Sequence, residues 1–94
     1  MEEQLRAEGL SLVHKGGRIR LGRDGARRFA EALDLVLFRG IRVAAAAGLE
    51  AEAFAGAVVI DGDFGRALVT RAQAVTIGIT LARASESPLR VVAA

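Results

Sequence analysis

The sequence predicts an α+β domain, with an antiparallel sheet of about five strands packed on one long central helix in the order (α)ββαβββ. Three observations carry this. Leu10 to His14 and Arg18 to Leu21 flank Lys15-Gly16-Gly17, and a glycine pair between apolar segments marks a tight hairpin turn. From Asp24 onward, apolar residues recur three and four positions apart, the spacing of a helix with one buried stripe. After residue 56 come three short segments rich in β-branched residues, separated by glycine-containing connections. Hairpin connections make a sheet antiparallel, and the long helix is then the crossover covering one face. A chain of 94 residues accommodates one core, so residues 1–94 are expected to form a single domain.

Each element has a local reason. Residues 2–8 suit two turns of helix, stopped by Gly9. In the hairpin's second strand, Ile19 and Leu21 share one face while Arg18 and Arg20 share the other. Asp24 is placed to cap a helix start, its carboxylate accepting from free backbone N–H groups. Ala26, Phe29, Ala30, Leu33, Val36, Leu37, Gly40, Ile41 and Ala44 then form one stripe, carrying the helix to Ala47 with Gly48 as its stop. That is about 35 Å of helix, at 1.5 Å per residue. Gly40 is a candidate bend. The strands that follow are AVVID (57–61), RALVTR (66–71) and AVTIGITLA (74–82), where Val75, Ile77, Ile79 and Leu81 alternate with Thr76, Gly78, Thr80 and Ala82. Ser85-Glu86-Ser87-Pro88 reads as a turn and 89–92 as a short edge strand.

Composition limits the chemistry. Apolar residues make up 52% and charged residues 26%, a globular balance rather than a disordered one. With no cysteine, disulfides, thiolate metal sites and a cysteine nucleophile are excluded. The acidic, polar start MEEQLRAEG does not suit a signal peptide, and no apolar run approaches the ~20 residues of a membrane span. A cytoplasmic protein is the default expectation.

No motif survives as an active site. His14 is the single histidine and sits at a strand end beside a turn, so a zinc site would rest on carboxylates alone. Asp61-Gly62-Asp63 resembles the opening of a calcium loop but is followed by Arg66 and Arg71 instead of the later ligands. Asp63-Phe64-Gly65 matches a kinase tripeptide without the other kinase elements. The glycines fit neither phosphate-binding pattern. A non-enzymatic role is expected, with no cofactor and no metal.

Two surfaces stand out. The net charge of +2 is uneven, and residues 14–28 hold six cations against Asp24: Lys15, Arg18, Arg20, Arg23, Arg27 and Arg28. Such a cluster suits nucleic-acid phosphate, an acidic protein surface including this chain's own 50–63 segment, or a solvated face. Without Trp or Tyr it offers no stacking platform for single strands. The second surface is the back of the long helix, where Leu35 and Phe38 lie with Glu31 and Arg42. Either a loop covers this stripe or it is a dimer seam, joined by the Val58 and Ile60 strand edge.

In element order, the hairpin GLSLVHKGGRIRLG, the helix from Asp24 and the strands AVVIDG, RALVTR and AVTIGITLA resemble the Roadblock/LC7 family of profilin-like modules. The resemblance implies a homodimeric, non-enzymatic interaction module, one that serves as a platform for small GTPases. It departs in its short first helix and in SESPLRVVAA where a terminal helix is usual. The leading expectation is therefore a homodimeric scaffold. The alternative is a nucleic-acid-binding module using the basic hairpin.

Overall fold

The computed structural model describes residues 5–15 and 17–86. The chain is α+β with antiparallel sheets, as the pattern predicts, but its strands divide between two sheets and a second helix closes it. β1 (Arg6–Glu8), β2 (Ser11–His14) and β3 (Gly17–Arg20) form a three-stranded sheet in that order. α1 (Gly22–Phe38) follows, and then β4 (Val43–Ala46), β5 (Leu49–Phe54), β6 (Ala57–Gly62) and β7 (Gly65–Thr70) form a four-stranded meander. α2 (Arg71–Glu86) comes last.

The hairpin, β6 and β7 lie where the pattern puts them. Other elements do not. Residues 6–8 are a strand instead of helix, paired with β2 from Arg6↔Val13 to Glu8↔Ser11. The N-cap of α1 is Leu21, with no side-chain cap, and Asp24 sits inside the first turn. There its carboxylate holds Arg27 and Arg28, each at 3.0 Å. An acid at that end suits the helix dipole and offsets the two unfavourably placed cations.

α1 stops at Phe38, well short of Ala47, and Gly40 is where it turns off. At φ +76° Gly40 adopts the left-handed conformation that glycine reaches without steric cost. The Arg39 and Ile41 N–H groups both return to the Leu35 carbonyl, at 3.1 and 3.2 Å. The Arg71 guanidinium, from the start of α2, donates to the Leu37 carbonyl. Two carbonyls of the helix's last turn, Leu35 and Leu37, are thereby given partners. The chain then reverses twice through Ala47-Gly48 and Ala55-Gly56, four residues all at positive φ, as two-residue hairpin turns of the primed type require.

The segment expected as the clearest strand, 74–82, is the middle of α2. Thr70 and Gln73 form a reciprocal cap: the Gln73 N–H donates to Thr70 Oγ1 at 3.0 Å, and the Thr70 N–H to Gln73 Oε1 at 2.8 Å. Ala74, Ile77, Leu81 and Ser85 are its buried stripe. Ser85 and Glu86 are helical rather than the start of a turn, and Ser87 and Pro88 lie outside the described residues. The expected strand at 89–92 lies outside the described residues.

Leu49, Ala51, Val58, Ile60, Ala67 and Val69 alternate onto the inner face of the meander, where both helices cover them. α1 packs over β4 and β5, while α2 packs over β6 and β7 and also reaches β1. Phe29 and Leu33 of α1 are fully buried at the centre. Gly62 is closely covered: a Cβ there would lie 2.5 Å from Leu49 Cδ2, so the Leu49 side chain would have to shift. Among the described residues no helix is long and apolar enough to cross a membrane.

Candidate functional site

The two helices leave a trough of about 450 Å³ on their solvent side. Leu33 and Leu37 of α1 and Val75, Gly78 and Ala82 of α2 line it, with Phe38 and Ile79 on its walls. Gly78 leaves room on the floor, since a Cβ there would sit 3.8 Å from Leu33 Cδ1, an ordinary contact distance. Phe38 and Ile79 are 58% and 49% exposed; Phe54 and Leu68, outside the trough, are similarly exposed, but only Phe38 and Ile79 share this groove. Arg71 stacks over the Phe38 ring at 5.4 Å, tying the wall of α1 to the start of α2. The rim carries both signs: Arg27, Glu31, Asp34 and Glu86. Asp34 also meets Arg39 at 3.5 Å.

The expected seam residues separate in the fold. Phe38 stands in the trough, and Leu35 and Arg42 are exposed outside it. Val58 and Ile60 cannot belong to a surface seam, being 2% and 0% exposed on the inner face. Nor is their strand an edge, because β6 lies between β5 and β7. The wall of α2, with Ile79 and Ala82, escaped the sequence reading because the segment passed for a strand. Its visible signal was Thr70-Arg71-Ala72-Gln73, the capping-box spacing, followed by apolar residues at helical intervals.

The basic residues occupy a second surface. In the small sheet, Arg6, Val13 and Arg18 form one cross-strand row, and Glu8, Ser11 and Arg20 the next. Arg6, Arg18 and Arg20 therefore share the outer face, and Arg6 is a member that a helical reading of 2–8 had hidden. The Glu8 carboxylate accepts from Arg6 at 2.8 Å and Arg18 at 3.0 Å, and these two cations hold its pKa below the usual value of 4.5. Lys15 and Arg20 are exposed on the same hairpin. Arg23 is engaged within the fold, and Arg27 and Arg28 belong to Asp24.

The remaining candidates have local roles. His14 is half-buried, stacked on Phe64 at 5.1 Å with ring planes 19° apart, where the hairpin meets the β6–β7 turn. Asp61 accepts two hydrogen bonds from Arg66, at 2.9 and 3.3 Å, which raise the Arg66 pKa. Among the described residues no three His, Asp or Glu side chains gather as a metal site. Comparison with known proteins yields no relative: no family model, curated protein or solved structure matches the chain.

Proposed function

We propose that the chain is a homodimeric protein-interaction module whose seam is the trough between α1 and α2. The observation that carries this reading is that the exposed Phe38 and Ile79 line the same apolar groove. Desolvating such side chains is the main source of affinity at protein interfaces. A second copy is the occupant that the spacing of opposite charges on α1 fits. Arg27 and Asp34 lie seven residues apart on one side of α1, about 10.5 Å along the axis. An antiparallel two-fold seam sets Arg27 of each copy near Asp34 of the other. Each there exchanges an exposed ion pair within its own chain, Arg27 with Asp24 and Asp34 with Arg39, for one across the seam. The β2–β3 hairpin, α1 and the β6–β7 pair, in that order, are what speaks for a module of the Roadblock/LC7 kind. Its role is to hold partners together rather than to catalyse.

Light scattering tests this. At tens of micromolar the expected mass is twice the 9.8 kDa of one chain, and Ile79→Arg returns it to one chain without changing the far-UV circular dichroism. Leu35→Arg, outside the trough, should weaken the dimer less. A monomer at that concentration would remove the proposal.

A further inference from the structure

The outer face of the three-stranded sheet differs from the trough and is independent of the dimer. Arg6, Glu8, Ser11, Val13, Arg18 and Arg20 make up that face, and Val13 is its one apolar member. Protein interfaces are built around apolar and aromatic cores, and this face has none. What it has is regular positive charge. Arg18 and Arg20 are two residues apart on β3, about 6.7 Å along the strand. That is close to the separation of successive phosphates on one strand of a nucleic acid. Arg6 stands across β2 from Arg18, two strand spacings or about 9.6 Å away.

We infer that this face, together with Lys15 of the adjoining hairpin turn, binds the phosphodiester backbone of duplex nucleic acid through Arg6, Arg18, Arg20 and Lys15. In the free protein Glu8 holds Arg6 and Arg18 and competes with phosphate for them. Their side chains remain 64% and 56% exposed, and so open an ion pair is readily exchanged for phosphate. Duplex rather than single strand is the expected form. The chain has no Trp or Tyr, and its four Phe residues lie in α1, β5 and the β6–β7 turn, leaving no base-stacking platform on the small sheet. Contacts of this type position a protein on the backbone without reading sequence.

The experiment is fluorescence anisotropy of a labelled mixed-sequence DNA duplex, titrated with the full chain at several salt concentrations. Four neutralised phosphates predict a slope of log K against log salt of about −3.6, so affinity falls roughly 100-fold between 50 and 200 mM. Arg20→Gln should weaken binding at least tenfold at low salt and reduce the slope by about 0.9. Glu8→Gln should tighten binding severalfold, a gain that no loss of folding can mimic. Absence of binding at 50 mM salt overturns the inference, as does a slope near zero or a Glu8→Gln variant that binds no tighter. Stronger binding to phosphatidylserine vesicles or to an acidic polypeptide than to the duplex overturns it equally.

Discussion

The trough between α1 and α2 and the outer face of the small sheet are both exposed, yet they are assembled in opposite ways. The trough has an apolar floor, rim charges of both signs, and walls contributed by two helices separated in sequence by the four-stranded meander. Its shape depends on α1 and α2 packing against each other, so it exists only where the core exists. The arginine face comes from one local stretch, and strand alternation alone puts its cations together. Surfaces of the first kind respond to packing and those of the second to salt and charge. A single substitution should therefore damage one and spare the other.

The largest expected effect is that double separation. Ile79→Arg should raise the dimer dissociation constant at least 100-fold, about 2.8 kcal/mol, while leaving duplex binding per chain unchanged. Arg20→Gln should do the reverse. Next comes Thr70→Ala, which removes half of the reciprocal cap of α2 and should cost about 1 kcal/mol in urea unfolding. The dimer should weaken with it, since α2 forms one wall of the trough. Gly78→Ala should act in two directions at once. The added methyl meets Leu33 at an ordinary contact distance, so the helix gains about 0.5–1 kcal/mol from losing a mid-helix glycine. The same methyl fills the floor of the trough, so dimer affinity should fall as monomer stability rises.

The smallest effect belongs to the arginine face. Arg6 and Arg18 depress the Glu8 pKa, so the stabilisation from this cluster is complete above pH 4.5 and is lost as pH falls through the lower folded-state value. Amide exchange in β1 should accelerate across that window relative to α1, and Glu8→Gln should abolish the difference.

The arginine face was largely legible in the sequence, because strand alternation in Arg18-Ile19-Arg20 requires no tertiary knowledge. The trough was half legible. Phe38 announced itself as an apolar residue on the back of a helix. Ile79 did not, because Val75, Ile77, Ile79 and Leu81 fit a two-residue period and β-branched content strengthened it. The same run satisfies a helical period through Ala74, Ile77, Leu81 and Ser85, and only the Thr70–Gln73 cap separates the readings. The overlong helix has a similar cause. Alanine is the best helix former, so Val43–Ala46 with Ala47-Gly48 passed for a helix end. In the structure Ala47 adopts the left-handed backbone of a hairpin turn, a position where Asn or Gly would have signalled the reversal. Val58 and Ile60 were misplaced for want of β4 and β5. Without those strands β6 counts as an edge; with them it lies inside the sheet.

One measurement bears most directly on the account: the solution mass of the full chain and of Ile79→Arg, side by side, by sedimentation equilibrium from one to one hundred micromolar. The account predicts a dimer for the parent chain and a folded monomer for the variant. A parent chain that is monomeric throughout, or a variant that dimerises as tightly as the parent, would contradict it.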